Sequence, residues 1–243
     1  MKKKIKLNPA IRADGKGFLK NLAYDSVIFG FSDGQLKILL MEYHNTGLFA
    51  LPGGFIQEDE DLNEAVKEGL KERTGLDDIF LEQYYAFGDR RRFDASVLKK
   101  ILLANGIKPD PDHWMLGRFV TVAYYALINY KNVQPKPDVL SDSCTWYSLN
   151  ELPLLILDHK EIVEKALNTL RHNLDRKVVG GNLLPQKFTM NELQKVYESI
   201  LGQELRRSTF QRKMLGMKIL RRHQKQFSGK AHKAPYLYSF LKR

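Results

Sequence analysis

The sequence predicts an α+β protein in which a mixed α/β body is followed by a C-terminal winged helix-turn-helix domain. Three observations predict this architecture. Apolar runs with strand-like and helical spacing alternate through residues 21–156. The net charge of +11 is carried entirely by residues 182–243, where fourteen Lys and Arg face three Glu. The same basic segment shows two short amphipathic helical patterns followed by a hairpin pattern, which is the order of elements in a winged helix.

The body follows an N-terminal extension, 1–20, and opens with a hairpin pattern. Strands are predicted at 23–31 and 35–43, joined by the turn sequence "SDG". Glycines 53 and 54 mark the next turn, and a helix over 62–73 ends at Gly75, which favours the left-handed conformation that follows many helices. The remaining predicted elements are strands at 79–88 and 118–130, a strand and turn at 143–153, and a helix at 94–106 with an Asp N-cap.

Segment 157–181 is interpreted as a connecting helix and linker. Helical spacing predicts a helix from Asp158 to Asp175, with Asp158 and Glu161 as an acidic counterpart of the capping box. Two glycines and a change in charge balance mark the boundary with the basic domain, 182–243.

The basic domain begins with two predicted capping boxes. Thr189 with Glu192 predicts a helix that ends near residue 201, and Ser208 with Gln211 predicts a second helix that ends near residue 216. A two-stranded hairpin over 218–241 completes the pattern as the wing.

Composition sets limits on compartment and metal content. A single cysteine, Cys144, excludes an intrachain disulfide and favours a reducing compartment. The lysine-rich start lacks the apolar stretch of a signal peptide, and no apolar run reaches membrane-spanning length. We therefore expect a cytoplasmic protein with no membrane partner. The six histidines are scattered, so we expect neither a metal site nor a cofactor.

The stretch "LPGGFIQEDEDLNEAVKEGLKERTGL", residues 51–76, resembles the Nudix box of hydrolases that cleave nucleoside diphosphates linked to another group. The signature is kept at Gly54, Glu60, Glu72 and Gly75. It is broken at three positions, where Glu68 replaces an Arg and where Gly69 and Arg73 replace Glu. The resemblance implies a Nudix-like α/β/α sandwich over residues 21–156.

The broken positions matter because residues 69, 72 and 73 share one helix face. Three carboxylates there could hold Mg²⁺, which prefers oxygen ligands. This chain offers one carboxylate, one hydrogen atom and one guanidinium. A fixed positive charge within ~6 Å of a metal position is strongly unfavourable in a partly buried site, so we expect pyrophosphate hydrolysis to be lost.

A broken Nudix box joined to a basic winged helix is similar to the Nudix-related transcriptional regulators, which respond to ADP-ribose or to arabinose. The similarity extends over 87–88, 117–128, 152–167 and 182–214. It implies a homodimer on a palindromic double-stranded DNA operator, with ADP-ribose, another nucleotide or a pentose sugar as effector. After "FG" (87–88) the chain departs from the family, since a long insertion replaces a short loop. The effector contacts of that loop are therefore not carried over.

The DNA-binding residues are predicted on the second helix and on the wing. Arg212 is the strongest candidate for a base contact, because Arg pairs bidentately with guanine edges. Wing cations are expected to contact phosphates, which set register rather than sequence. The full predicted set is Arg206, Arg207, Ser208, Thr209, Gln211, Arg212, Lys213, Lys225, Lys230, His232 and Lys233. The competing interpretation is a solvated helix face and lysines that protect an edge strand.

Effector-binding residues are predicted in the body. Arg118 opens a strand and is expected to hold an anion or sugar hydroxyls, although a surface ion pair explains it equally well. The run 90–92 suits a phosphate or is merely a solvated loop, and of Tyr124 and Tyr125 one is expected to face the pocket. The predicted set is Arg118, Tyr124, Phe87, Arg90 and Glu60.

Two other functions stay open on the sequence alone. One is a Nudix hydrolase that acts on ADP-ribose-like nucleoside diphosphates, with relocated metal ligands and a basic tail that binds nucleic acid. The other is an RNA-binding module with a structural Nudix core.

Overall fold

The computed structural model describes residues 14–77, 79–175, 183–226 and 234–241. The strands are β1 (Phe18–Ser32), β2 (Gln35–Tyr43), β3 (Phe49–Ala50), β4 (Gly53–Gln57), β5 (Phe80–Phe87), β6 (Val120–Ile128), β7 (Ser141–Ser148), β8 (Phe188–Thr189), β9 (Leu220–Lys225) and β10 (Tyr236–Phe240). The helices are α1 (Leu62–Thr74), α2 (Ala95–Ala104), α3 (His159–Asn173), α4 (Met190–Leu201) and α5 (Arg207–Gly216). Within these ranges no helix combines the length and apolar character needed to cross a bilayer.

The first seven strands form one mixed sheet. Its order is β3-β2-β1-β6-β5, with β4 also paired to β1 and β7 to β2. β1 and β6 lie in parallel at the centre, from the pair Leu22–Val120 to the pair Gly30–Ile128. The β-branched and aromatic residues of these strands suit a position buried on both faces.

The two faces of the central strands are covered by different helices, since successive side chains of a strand point to opposite faces. Val27, Phe29 and Tyr125 belong to the core that contains the apolar face of α3. Ile28 and Tyr124 belong to the core that contains the apolar face of α1. The predicted α/β/α sandwich is confirmed.

The C-terminal module is a winged helix-turn-helix, as predicted. α4 and α5 are joined by a short turn, and β8, β10 and β9 form a three-stranded sheet. The predicted capping box of α4 is present: the Thr189 hydroxyl accepts from the Glu192 N–H at 3.2 Å, and Glu192 accepts from the Thr189 N–H at 2.7 Å. The two-residue strand β8 was not predicted.

Two other predicted caps are wrong. α5 begins earlier than expected, with Arg206 at the N-cap and no side-chain cap, so Ser208 lies inside the first turn. Asp158 precedes α3 but makes no capping hydrogen bond. Its carboxylate accepts instead from the Arg92 guanidinium, at 2.8 and 3.1 Å.

The winged helix packs directly against the sandwich, and α3 lies between them. One apolar core runs from Val27 of the sheet through Leu170 of α3 to Val196 of α4. Hydrogen bonds cross the same boundary: the Leu36 N–H donates to the Ser199 hydroxyl at 2.6 Å. The other crossing contacts are Arg171 Nε to the Ile200 carbonyl at 2.7 Å and the Tyr197 hydroxyl to the Leu174 carbonyl at 3.4 Å.

Candidate functional site: a modified Nudix cavity beside a basic winged helix

A cavity of about 370 Å³ opens where the Nudix-box helix α1, strand β4 and the start of α3 meet the rest of the sheet. Gly53 and Gly54, which were predicted as a turn, begin β4 and pair with β1. This volume lies in the range of small-molecule sites. Its polar lining includes Asp25, Gln57, Glu60, Glu68, Glu72, Arg73, Arg92, Thr121, Asp138 and His159. Its apolar lining includes Phe18, Phe55, Leu98, Met115, Phe119, Leu140 and Ile156.

On the α1 side, the Tyr24 side chain fills the space that a larger residue at position 69 would need. A Cβ built on Gly69 would lie 2.1 Å from Tyr24 Oη, and one built on Gly54 would lie 2.6 Å from the same atom. Burial raises the pKa of Tyr24 to about 12, so its phenol stays neutral at physiological pH. The missing acid of the Nudix box is thus replaced by a tyrosine that comes from β1.

Arg73, the second departure from the Nudix box, is held by its own partners. Its guanidinium donates to Asp138 at 2.9 Å and to Glu72 at 3.2 Å, and its Nε lies 3.4 Å from the Met41 sulfur. Glu72, the carboxylate that the box retains, is therefore already paired with a cation. Among the described residues no group of three or more His, Cys, Asp or Glu is arranged to hold a metal ion.

On the α3 side, Arg92 is a buried cation between the buried Asp25 and the partly buried Asp158. It is bound to Asp158, donates to the Phe119 carbonyl at 2.8 Å, and lies 3.8 Å from Asp25. His159 is the neighbouring polar residue on this side of the cavity, and hydrogen bonding fixes its ring. Its Nδ1 accepts from the Leu51 N–H at 3.0 Å, which leaves the proton of the neutral ring on Nε2, 3.8 Å from Asp25.

The remaining lining offers an aromatic end and an unsatisfied hydroxyl. Phe55 lies 5.3 Å from Phe119 between ring centroids, with Trp114 packed behind both rings. Thr121 is fully buried and lines the cavity, and its hydroxyl has no hydrogen-bond partner within the described residues. A buried unpaired hydroxyl is unfavourable.

The structure brings only one of the five predicted effector residues to the cavity. Glu60 lines it, and also accepts from the Gln57 N–H at 2.6 Å. Arg118 donates to the Gly88 carbonyl outside the cavity, and Arg90 is exposed. Phe87 packs against Tyr84 and Tyr85 at the sheet edge, with ring centroids 6.5 and 4.9 Å away.

The two strand tyrosines are both buried, and neither lines the cavity. The Tyr124 hydroxyl donates to Asn63 at 2.8 Å on the α1 side, whereas the Tyr125 hydroxyl donates to Glu82 at 2.9 Å. The expectation that one would face the pocket is wrong, because each lies over a different hydrophobic core.

Several polar residues that line the cavity were not predicted from the sequence, among them Tyr24, Asp25, Thr121, Asp138 and His159. One signal was present. Asp25 interrupts the apolar strand "AYDSVIFGF", and a charge in a buried strand calls for a partner. The other four carry no such pattern in the sequence.

The recognition helix α5 presents the predicted DNA-binding face to solvent. The predicted residues on the helix and its N-cap are all exposed: Arg206, Arg207, Ser208, Thr209, Gln211, Arg212 and Lys213. Within the part of the chain that the structure describes, Lys213 is the one of these residues that pairs with a carboxylate, since its ammonium is 2.7 Å from Asp175, just after α3. The α5 N-terminus has no side-chain cap, which leaves backbone N–H groups for an anion such as DNA phosphate.

On the wing, Lys225 and Arg222 both lie over the Tyr236 ring, 5.3 and 4.7 Å from its centroid. These contacts hold two cations on one side of the hairpin. Lys230, His232 and Lys233 lie outside the described residues.

Comparison with known proteins agrees with both parts of the structure. The NUDIX domain family matches residues 22–167, and the NrtR DNA-binding winged helix domain family matches residues 180–240. The chain is 33% identical over 201 residues to the ADPR responsive transcriptional repressor NtrR of Acinetobacter baylyi, covering 80% of this chain and 72% of that protein.

Two further relatives are informative. The crystal structure of Shewanella oneidensis NrtR complexed with a 27mer DNA aligns with a TM-score of 0.72 and 31% identity, over 91% of this chain and 94% of that one. The ADP-ribose pyrophosphatase of Methanocaldococcus jannaschii is 25% identical over 166 residues, which are 67% of this chain and 76% of that enzyme.

A Nudix-like cavity joined to a basic winged helix defines a class of protein, the DNA-binding regulators built from a Nudix domain. The chain belongs to the NrtR family of these Nudix-related transcriptional regulators.

Proposed function

We propose that this protein is a homodimeric transcriptional regulator whose binding to a palindromic operator changes when ADP-ribose occupies the Nudix-like cavity. The observation that carries the proposal is the placement of α3, which borders the cavity at one end and packs against the helix-turn-helix at the other. A ligand that favours one arrangement of α3 shifts DNA affinity by its differential affinity for the two arrangements.

The cavity lining suits the parts of ADP-ribose. Phe55 and Phe119 offer ring faces and edges for a base, and carboxylates such as Glu60 accept hydrogen bonds from ribose hydroxyls. Arg92 is placed to contact a phosphate group. The Acinetobacter relative, whose name describes it as ADPR responsive, supports the same effector.

A free pentose is the second candidate effector, and the charge of the lining favours it. Among the described residues, two guanidiniums, Arg73 and Arg92, line the cavity against five carboxylates: Asp25, Glu60, Glu68, Glu72 and Asp138. A neutral polyol enters an acidic cavity without charge repulsion, whereas a diphosphate must obtain compensation from the arginines.

We also propose that the protein does not hydrolyse ADP-ribose. Tyr24 occupies the space of the acid missing at position 69, and Arg73 neutralises Glu72. Both changes remove negative charge from the place where a metal-assisted hydrolysis needs it. Incubation with ADP-ribose and Mg²⁺ should release no AMP above a protein-free control, and turnover would overturn this part of the proposal.

DNA binding and its response to effector are tested together by fluorescence anisotropy on a duplex from the protein's own promoter region. Binding should weaken steeply as salt rises, and added ADP-ribose should change the Kd. Arg212→Ala should cost about 1–3 kcal/mol of binding energy if Arg212 reads a base. Lys67→Ala, an exposed helix cation in the sandwich, is the matched control and should bind like the wild type.

The outcomes separate the candidates. A response to pentoses but not to ADP-ribose would favour the pentose. Preference for structured RNA over the duplex would contradict the regulator proposal, as would unchanged binding by the Arg212 variant combined with no salt dependence.

A further inference from the structure

The N-terminus of α3 lies in the wall of the cavity, and the residue that precedes it is bound by a side chain of the cavity lining. Asp158 directly precedes the helix, and its carboxylate is bound by Arg92 at 2.8 and 3.1 Å. The lining among the described residues includes Arg92 but not Asp158, so Arg92 separates this carboxylate from the cavity. The Asp158 side chain makes no capping hydrogen bond to α3 and binds Arg92 instead.

We propose that Arg92 transmits the effector signal: a phosphate group of the effector takes the Arg92 guanidinium from Asp158 and so releases the start of α3. This inference rests on the proposed function, and it names the phosphate as the part of the ligand that acts. Arg and phosphate form bidentate charge-assisted hydrogen bonds, which are the strongest competitors for an Arg–carboxylate pair.

The exchange has a mechanical consequence because the Asp158 side chain is largely buried, with 11% of it exposed in the pair with Arg92. Arg92 is its one cationic contact among the described residues. A carboxylate that loses such a contact in a largely buried place is strongly unfavourable. Movement of the α3 N-terminus, which brings Asp158 to water, relieves this cost. The phosphate therefore favours a different α3 position through Asp158, not through a direct contact with α3.

The far end of α3 is coupled to the DNA-binding module. Arg171 donates to the Ile200 carbonyl of α4, and the α3 residue Leu170 shares one core with Val196 of α4. A displacement of α3 is thus passed to α4 and to the recognition helix that follows it. Arg92, Asp158 and α3 form a contiguous set of contacts from the cavity to the winged helix.

The test compares DNA affinity with and without ADP-ribose in four proteins. The wild-type Kd should change by a factor on the order of 5–150, the usual size of allosteric coupling. In Asp158→Asn the factor should fall to within about twofold of one, while ADP-ribose binding persists or tightens, because the Asp158 carboxylate no longer competes for Arg92. Arg92→Gln should lose both ADP-ribose affinity and the response.

Arg91→Gln is the matched control. Arg91 lies on the same short turn, but its side chain is 90% exposed and pairs with Asp89. This variant should keep the wild-type response. Since Arg92→Gln alone leaves Asp158 unpaired and risks misfolding, the double variant Arg92→Gln/Asp158→Asn supplies a neutral pair of similar shape. It should fold, bind DNA and ignore ADP-ribose.

The outcomes distinguish this inference from the proposed function. A wild type that binds DNA but does not respond to ADP-ribose overturns both. A wild-type response that survives intact in Asp158→Asn overturns only the Arg92 inference. D-ribose and inorganic pyrophosphate serve as separate probes: a full response to ribose alone contradicts a phosphate-driven exchange, whereas competition by pyrophosphate supports it.

Discussion

At the scale of single residues, the altered Nudix box is explained by what packs against it. Glycine inside a helix costs roughly 1 kcal/mol relative to alanine, so Gly69 needs a reason. The reason is Tyr24, whose hydroxyl would lie 2.1 Å from any Cβ at position 69. The loss of the acid at position 69 and the presence of Tyr24 are therefore linked. Restoring a larger side chain at position 69 while Tyr24 is kept would create a clash.

This gives a prediction for Gly69→Ala. With Tyr24 present, Gly69→Ala should lower the free energy of unfolding by about 1–3 kcal/mol, the usual cost of overpacking a core, although alanine has the better helix propensity. In a Tyr24→Phe background the nearest remaining ring atom is 3.2 Å away, which is still a tight contact, so the same substitution should cost clearly less than it does beside Tyr24. Urea unfolding of the four proteins measures both effects, and equal costs in both backgrounds would contradict the explanation.

Cys144 gives a second prediction at this scale. Burial in β7 raises the pKa of its thiol to about 12, so less than about one thiol in a thousand is ionised at pH 8. Because the thiolate is the reactive form, the folded protein should react with DTNB far more slowly than the protein in guanidinium. A fast reaction of the native chain would show that β7 opens locally.

At the scale of elements, helix starts show where local pattern and tertiary contacts disagree. α4 carries a complete capping box, whereas Ser208 in α5 caps nothing. Thr189→Ala should therefore destabilise the protein by ~1 kcal/mol, while Ser208→Ala should change stability by only a few tenths. Thermal unfolding distinguishes the two variants. A larger loss of stability in Ser208→Ala than in Thr189→Ala would indicate that the predicted second capping box does form.

The same comparison shows which elements could be predicted from the sequence and which could not. β2, α1 and α4 were predicted almost to the residue, because the turn sequence "SDG", Gly75 and the Thr189–Glu192 box are local signals. The Asp158 cap was wrong because Arg92, distant in sequence, binds that carboxylate more strongly than the helix N–H groups do. The cavity residues were largely missed for the same reason, since their roles arise only from contacts made across the fold.

At the scale of the whole molecule, the net positive charge is confined to the winged helix, whereas the hydrophobic core is shared by the winged helix and the sandwich. The basic winged helix and the neutral sandwich are joined by one core and by α3. Rigid coupling of this kind lets a change at the cavity reach the DNA face. It also allows the connecting segment to hold a residue of that face, as Asp175 does with Lys213 at 2.7 Å.

The last prediction concerns that pair. Both side chains are about half exposed, and such ion pairs contribute roughly 0.2–1 kcal/mol, so DNA phosphate can displace Asp175. Asp175→Asn frees Lys213 and removes a negative charge beside the recognition helix, and should tighten DNA binding by about two- to fivefold at low salt, with a smaller gain at high salt. Asp77→Asn makes the same charge change at the Lys71 pair of the sandwich, also 2.7 Å long, and should leave DNA affinity unchanged. Equal gains in both variants, measured by anisotropy over a salt series, would mean that overall charge acts rather than the release of Lys213.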